Sequence, residues 1–441
     1  MDAFRTGRFV HCLGALRGNT SNEALALGTR ALLRLRRFDE ALGTAERGLE
    51  RVSEISHRER GELEMLRAAT LANLQRLTEA QCGFDDARAY VQSATSPALE
   101  AEFDYFEALL NFSNHDLARC ERGCRKVLAP APFVYRPADH FVPIEHARAR
   151  AHGLLGTLAA ARSDFAAQAM HLKRSLAEIE NSPVADAWFR AAQLANVATF
   201  ARESGAAVEL AFVRERFEAI AWIPELMPLR YDILNCLAWA SALNGDHLGA
   251  FRDLRGAIES APSAPLKIAA CVDKAFLARE LRQDLVAREE LDYAERLSDS
   301  VCWSDTADRE IDVLVRFSQA LAPENPRKAR RLFDLYLKLR DAARSQHPAY
   351  FDERSRLSET VAEGVICRAE GKLARAAELL RHGFVRWRAL GYHWRAAVVA
   401  IELAELGAGR TSAAFLAEQA ALRPNSWIAL RAQALLGSAK V

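Results

Sequence analysis

The sequence has few lysines, few cysteines and no long apolar run, and each of these absences excludes a class of protein. Only eight of its 59 basic residues are lysine and the formal net charge is +1, so no excess of positive charge is available for nucleic acid or an anionic membrane. Eight cysteines scattered through 441 residues are too few for a disulfide scaffold. Because no run approaches the roughly 18 apolar residues of a membrane helix, we predict a soluble, cytoplasmic protein.

The sequence also lacks the patterns of a β-protein and of the common enzymes. No convincing alternation of apolar and polar residues bounded by hairpin turns occurs, which argues against strands. Phosphate-binding glycine loops and the HExxH and GxSxG motifs are missing. Cys120 and Cys124 lie one helical turn apart, but a zinc site needs four ligands and the usual CxxC pairs are absent. We therefore predict no enzymatic activity, no metal and no cofactor.

The sequence is rich in amphipathic helical pattern, which is clearest in the segment 234–262. Leu234 and Leu237 fall on one face of a helix. Ala250 and Ala257 lie two turns apart on the next helix, where their small side chains allow the first helix to approach closely. This segment therefore predicts a pair of closely packed helices.

Similar helix-turn-helix units can be traced, less clearly, through the rest of the chain. Gly245 turns the chain in the clearest unit, and the run RFDEA at 37–41 recurs as GFDDA at 83–87. The small residues that follow each turn mark ten units, which are about 41 residues apart on average. We predict an all-α protein, a right-handed α-solenoid of about ten helix pairs.

The order of large and small residues in the segment 234–262 resembles the tetratricopeptide repeat (TPR), whose period is about 34 residues. The resemblance implies stacked helix pairs that share one continuous core. It also implies a concave surface lined by the first helix of each pair, where TPR proteins commonly bind an extended peptide or a partner helix.

The resemblance places seven side chains in this groove. They come from three neighbouring units and are Asn196, Arg202, Asp232, Asn235, Trp239, Phe276 and Arg279. Some TPRs hold a terminal carboxylate with a Lys/Asn clamp, but no lysine stands beside the two asparagines, so the groove is aromatic and arginine-bearing instead. We take Trp239, Phe276 and Arg279 as the anchors of a partner. The alternative is that Trp239 and Phe276 simply fill the interior of the superhelix.

One segment interrupts the repeats and defines the predicted domain organisation. Residues 129–146 are rich in proline and aromatic residues, and the run is too long for a simple connector. We predict N-terminal repeats over 1–128, an inserted loop over 129–146, and central and C-terminal repeats over 147–441 that continue the first set. The loop either packs on a neighbouring repeat or serves as a lid or partner contact.

The segment 370–406, EGKLARAAELLRHGFVRWRALGYHWRAAVVAIELAEL, resembles the helical sensor region of MalT-like and LuxR-type regulators. Such regions bind a small effector or a partner protein and control an output module. Their ATPase and DNA-binding modules are not expected here, because no P-loop precedes the repeats and no helix-turn-helix reader follows them. The resemblance implies a non-enzymatic scaffold or regulator of bacterial signalling or transcription that binds a protein or peptide. A receptor for a small effector or signalling peptide is the alternative, and a nucleic-acid binder ranks third.

Overall fold

A computed structural model describes residues 2–50, 56–129, 142–162, 164–182, 186–204, 207–306, 310–346, 353–408 and 410–438. All regular structure in these ranges is helical, and none of the described residues forms a strand. The prediction of an all-α fold is confirmed. None of the described helices combines the length and the apolar character that crossing a membrane requires.

The described residues form 23 α-helices and two short 3₁₀ turns. In chain order the helices are α1 (Asp2–Arg5), α2 (Phe9–Leu16), α3 (Asn22–Arg34), α4 (Phe38–Leu49), α5 (His57–Asn73), α6 (Leu77–Ser93), α7 (Pro97–Ser113), α8 (Leu117–Leu128), α9 (Ile144–Ala161), α10 (Phe165–Glu180), α11 (Ala187–Ser204), α12 (Ala207–Glu218), α13 (Met227–Leu243), α14 (His247–Ser260), α15 (Ala264–Glu280), α16 (Asp284–Ser298), α17 (Val313–Leu321), α18 (Pro326–Gln346), α19 (Glu353–Ala369), α20 (Leu373–Ala389), α21 (His393–Glu405), α22 (Arg410–Leu422) and α23 (Trp427–Ser438).

From α3 to α22 the helices follow one another as ten consecutive pairs, which confirms the predicted number of repeats. In pairs such as α5–α6, α9–α10 and α13–α14 the two helices pack along each other. The first helix of a pair also contacts the first helix of the next, as α5 contacts α7 and α15 contacts α17. The fold is thus a TPR-like helical repeat, in which each pair buries its apolar face against its neighbours.

The chain groups into two compact units. Unit 1 comprises Met1–Val197 and Phe217–Leu226, and unit 2 comprises Ala198–Arg216 and Met227–Val441. The predicted division at 129–146 stays a prediction, because residues 130–141 lie outside the described part of the chain.

Several helices begin where a short polar side chain satisfies one of their first free N–H groups. Ser56 and Glu59 form a reciprocal capping box at the start of α5, with Ser56 N–H donating to Glu59 Oε2 over 3.0 Å. Asp116 and Asp246 cap α8 and α14, the second helices of their pairs, each accepting one backbone N–H at 2.9 Å. These two caps fix where the second helix of each pair starts.

The turn inside several pairs places one residue in the left-handed region just before the next helix. Glycine takes this position at Gly245 (φ 85°) and Gly371 (φ 79°), and non-glycine residues take it at Arg36, Gln75, His115 and Arg282. Gly245 has a second constraint, because a Cβ added there would lie 2.7 Å from the Asn425 carbonyl oxygen. The turn after α13 therefore packs closely against the segment that leads into α23.

We expect Gly245→Ala to destabilise the chain more than Gly371→Ala does. Both substitutions force alanine into the left-handed region, at a cost of about 1 kcal/mol. Only the first also drives a methyl group into the Asn425 backbone, since an added Cβ at Gly371 would meet no described neighbour within 4 Å. Urea unfolding of both variants measures the difference. Equal losses of stability would show that the approach of Asn425 to this turn is not part of the native packing.

The alanines that the sequence assigned to close helix packing are fully buried. Ala250 and Ala257 have no exposed surface in α14. A Cβ added at the neighbouring Gly256 would lie 3.0 Å from the side chain of Leu234 on α13. The two helices therefore approach each other through small residues on one of them, as in ridge-and-groove packing.

We predict that Ala257→Leu lowers the free energy of unfolding by about 1–3 kcal/mol, because the added atoms overpack the α13–α14 contact. The exposed Ala417 on α22 provides the control. Ala417→Leu adds the same atoms at a position where they extend into solvent. It should change the free energy of unfolding by about 0.5 kcal/mol or less. Thermal and urea unfolding of both variants test this. Equal destabilisation would mean that the assigned helix register is wrong.

A buried ion network joins the first three pairs of unit 1. The Arg30 guanidinium on α3 donates to Glu62 on α5 over 2.8 Å and to Glu102 on α7 over 2.8 Å. All three side chains are nearly inaccessible to solvent. Because a buried charge is tolerated only when it is paired, this network fixes the relative positions of three consecutive first helices.

Candidate functional site

Unit 2 contains a cavity of about 480 Å³ that is lined mainly by the first helices of successive pairs. Its walls come from α11, α13, α15, α17, α19 and α21, with single residues from α18 and α20. The lining includes the aromatic residues Trp239, Phe276, Tyr336, Trp387, Tyr392 and Trp394 and the charged residues Arg202, Glu203, Asp273, Asp312, Arg316, Arg354 and Arg395. We call this space the unit 2 cavity.

An aromatic cluster forms one wall and joins distant repeats. Trp239 on α13 stacks on Trp394 on α21, with ring centroids 5.5 Å apart and planes inclined by 28°. Trp239 also contacts Phe276 at 5.7 Å, and Phe276 meets the fully buried Trp427 of α23 edge-on at 5.6 Å. The row of first helices therefore curves far enough for its later members to touch an earlier one, which bounds the cavity on that side.

A buried carboxylate between two arginines makes a second contact across the same gap. Glu203 on α11 accepts hydrogen bonds from Arg202 over 3.0 Å and from Arg395 on α21 over 3.0 Å. Burial alone would raise the pKa of Glu203, but the charges of Arg395 and Arg202 prevail and lower this pKa to about 2. The Arg395 guanidinium also lies over the ring of Trp394, 4.7 Å from its centroid.

A third polar group lies on the wall formed by α13, α15 and α17. Asp273 is buried, and its Oδ2 accepts hydrogen bonds from Asn235 Nδ2 over 2.9 Å and from Arg316 Nη1 over 3.2 Å. The side chain of Arg316 nevertheless keeps 47% of its surface exposed while lining the cavity. Arg316 can therefore offer further N–H donors to a ligand while Asp273 holds it in place.

The opposite wall combines a tyrosine with arginine and tryptophan. Arg354 Nη1 on α19 lies 3.4 Å from the Tyr392 hydroxyl, and Tyr392 packs edge-on against Trp387 at 5.5 Å. Tyr336 is fully buried and donates its hydroxyl proton to Glu359 over 2.7 Å. The cavity thus offers flat apolar surfaces and charges of both signs in one place.

Three of the seven residues predicted for the groove line this cavity: Arg202, Trp239 and Phe276. Asn235 does not line the cavity, but it donates a hydrogen bond to Asp273, which does. Arg279 donates to the Ala320 carbonyl over 2.8 Å and to Glu324 over 2.9 Å, and it is not part of the cavity lining.

The remaining two predicted residues lie on exposed surface. Asp232 is exposed on α13, and Asn196 is exposed on the part of α11 that belongs to unit 1, where it donates to Gln193. Neither residue lines the unit 2 cavity.

Sequence reasoning missed the residues that α17, α19 and α21 contribute, among them Arg316, Arg354 and Arg395. A signal for α21 was present, because the run YHWRAAVVA at 392–400 starts the first helix of a pair directly after a glycine turn. Extending the groove register into the later units would have placed Trp394 and Arg395 on the groove-facing side of α21. No short-range pattern reports the contact itself, since Arg395 and Glu203 are 192 positions apart in the chain.

The cysteines and acidic residues do not form a metal centre in the part of the chain that the structure describes, where no group of three or more His, Cys, Asp and Glu side chains is placed to hold a metal ion. All eight cysteines are free thiols, and six of them are buried, including Cys120 and Cys124. The other two, Cys82 and Cys302, are exposed.

Glu203→Gln should destabilise the chain at neutral pH by about 3 kcal/mol, because it removes the charge that pairs with two partly buried arginines. The folded pKa of about 2 lies below the unfolded value of about 4.3, so the ionised carboxylate stabilises the fold above pH 4.3. This stabilisation is lost as the pH falls from about 4.3 towards 2. The stability gap between the two proteins should therefore narrow in acid, as urea unfolding at several pH values would show. Glu418→Gln, at an exposed position, is the control; a gap that does not change with pH would contradict the assignment.

No protein-family model matches the chain, and no curated protein matches it. The solved structures similar to it include a Rap protein complexed with competence and sporulation factor, at 14% identity and a TM-score of 0.44, covering 81% of this chain and 99% of that one. The APC/C hetero-tetramer Cut9–Hcn1 is similar at 15% identity and a TM-score of 0.29, covering 98% of this chain and 87% of that one. Naa15/Naa10 bound to HypK-THB is similar at 14% identity and a TM-score of 0.21, covering 92% and 64%. The repeat assignment rests on the helix pairs of the chain itself.

Proposed function

We propose that this chain is a non-enzymatic regulatory receptor that binds a short peptide, or an extended segment of a partner protein, in the unit 2 cavity. The observation that carries the proposal is the lining of this cavity, where the Trp239–Trp394 stack stands beside charged groups of both signs. Catalysis needs a nucleophile or a proton-transferring group aimed at a reacting atom, whereas the buried carboxylates of the lining, Glu203 and Asp273, are hydrogen-bonded to arginines.

A peptide matches this lining better than a purely apolar ligand does. Its carboxylate groups can pair with Arg316, which keeps exposed surface, and its ammonium group can approach the acidic side of the wall at Asp312. Its apolar side chains can pack on the faces of Trp239 and Phe276. A peptide therefore uses the three kinds of surface that the cavity presents together.

The size of the cavity limits the occupant. A volume of about 480 Å³ is that of a small-molecule site, which holds a few amino-acid residues but no folded domain or partner helix. A small non-peptide effector is the second candidate, and the boundary formed by the Trp239–Trp394 contact favours it over a large partner. In either case the occupant would hold α13 and α21 together.

A sensor role in bacterial signalling or transcription control rests on the resemblance of segment 370–406 to the MalT-like and LuxR-type sensor regions. This segment supplies α20 and α21, and hence Trp387, Trp394 and Arg395 of the cavity wall. The proposal therefore places ligand contact in the part of the chain that carries the resemblance. A cytoplasmic location is part of the same proposal.

The identity of the ligand can be determined directly. The purified full chain is incubated with the low-molecular-mass fraction of an extract from its source cells, separated from unbound material and analysed by native mass spectrometry. A mass increment that fragments into amino-acid residues supports the peptide, whereas an increment of another chemistry supports the small effector. If no component of this fraction is retained by the chain, the proposal of a receptor for a free peptide or small effector is refuted.

For the captured ligand, we predict that Trp239→Ala weakens binding by about thirtyfold or more, equivalent to about 2 kcal/mol, because a central aromatic anchor is lost. Isothermal titration measures the affinity, and circular dichroism verifies that the variant is folded. Trp222→Ala is the matched control, since Trp222 is only partly buried and does not line the cavity. Arg279→Ala should have little effect if binding is confined to the cavity. A folded Trp239→Ala variant with full affinity would refute the site.

A further inference from the structure

Unit 1 has an interior cavity of its own, of about 240 Å³, at a place where no function has been assigned. It is again lined by the first helices of successive pairs, here α3, α5, α7, α9 and α11. Most of its surface is aromatic or aliphatic, including Leu33, Tyr105, Phe106 and Trp188. Three arginines also line it: Arg30, Arg34 and Arg150. They differ in whether carboxylates or aromatic rings surround the guanidinium group.

Arg30 is the satisfied member of this group. Its guanidinium donates to both Glu62 and Glu102 through four hydrogen bonds. These charge-assisted bonds hold the cation in the interior, and the pKa of Arg30 is raised above its ordinary value because the two carboxylates outweigh the effect of burial. Arg30 therefore has a structural role.

Arg34 and Arg150 are held mainly by aromatic rings. The Arg34 guanidinium carbon lies 4.1 Å from the centre of the Trp188 ring and 4.3 Å from that of Phe189. The Arg150 guanidinium carbon lies 4.5 Å from the same Phe189 centre, so two cations flank one ring system. Among the described residues, none accepts a hydrogen bond from Arg34, and Arg150 Nη1 is buried with no hydrogen-bond partner.

The acidic side chains near Arg34 and Arg150 form hydrogen bonds with other groups. Glu102 lies 3.6 Å from Arg150 Nη1, beyond hydrogen-bond distance, and is bonded to Arg30. Asp186 is buried, and its Oδ1 accepts the N–H of Phe189 over 2.8 Å at the start of α11. Burial and the charge of Arg150 lower the pKa of Arg34 to about 9, although the charges of Asp186 and Glu102 oppose this shift.

We propose that the unit 1 cavity is a second ligand site, which takes a small carboxylate with a compact aromatic or apolar body. The carboxylate would lie between Arg34 and Arg150 and accept N–H groups that no described residue accepts, in the forked geometry that suits guanidinium. The body would pack on Tyr105, Phe106 and Trp188. The volume of about 240 Å³ is below that of a drug-sized pocket, which limits the ligand to about the size of one ring or one amino acid.

Titration of the full chain with benzoate and with its neutral isostere benzamide tests the charge requirement. Benzoate should bind, and the affinity of benzamide should be lower by about tenfold or more, because benzamide cannot neutralise the two arginines. Arg150→Lys keeps the charge but loses the fork, so it should weaken benzoate by about tenfold in a folded protein. Arg119→Met removes an exposed arginine of unit 1 and should leave benzoate binding unchanged. Equal binding of benzoate and benzamide, or no binding of either, would overturn the proposal.

A second measurement needs no ligand. If Arg150 serves ligand binding and does not stabilise the fold, Arg150→Met removes its repulsion of Arg34 while retaining an apolar side chain. The melting temperature of the ligand-free chain should then stay constant or rise. Arg30→Met leaves two buried carboxylates unpaired and should lower the melting temperature clearly. A similar large decrease for both variants would show that Arg150 is a structural cation, and the cavity would then lose its assignment as a binding site. This inference does not depend on the function proposed for unit 2.

Discussion

The contact between α13 and α21, made by the stacked rings of Trp239 and Trp394, is the interaction on which the architecture of unit 2 depends. A row of helix pairs is stabilised only by neighbours, so nothing in the repeat itself requires distant members to meet. Here they do meet, and Arg395 adds an ion pair to Glu203 on α11. The first helices consequently surround a space, and their inward side chains become the lining of a cavity.

This closure explains why so many charged groups lie in the interior. First helices that face one another across a narrow space cannot all present apolar residues without collapsing the space. Pairs such as Asp273 with Arg316, and Glu203 with Arg395, keep the wall polar while giving each buried carboxylate a hydrogen-bonded cation. The same rule governs unit 1, where Arg30 joins three helices through Glu62 and Glu102. The charges hold the walls in place as well as lining them.

The sequence was sufficient to predict the local architecture. The spacing of Ala250 and Ala257, and the glycine at 245, depend on contacts between neighbouring helices, and such contacts leave a short-range periodic signal. The candidate site was only partly predictable, because it depends on which repeats meet after the whole row has curved. Trp239 and Phe276 could be placed from one unit, whereas the partnership of Trp239 with Trp394 could not. Small rotations between successive pairs add up along unit 2. The sequence of one turn therefore does not determine which distant helices come into contact.

The scarcity of lysine has a physical counterpart in both interiors. Arg34, Arg150 and Arg395 each lie over an aromatic ring, within 4.1 to 4.7 Å for their shortest ring contacts. A guanidinium is planar and weakly hydrated, so it can stack on a ring and still donate at its edge, whereas an ammonium group needs a full shell of acceptors. An interior built from arginine can therefore hold cations beside aromatic rings at a lower desolvation cost than one built from lysine. Such cations remain able to receive an anionic group, which makes the two cavities suitable for binding and not only for packing.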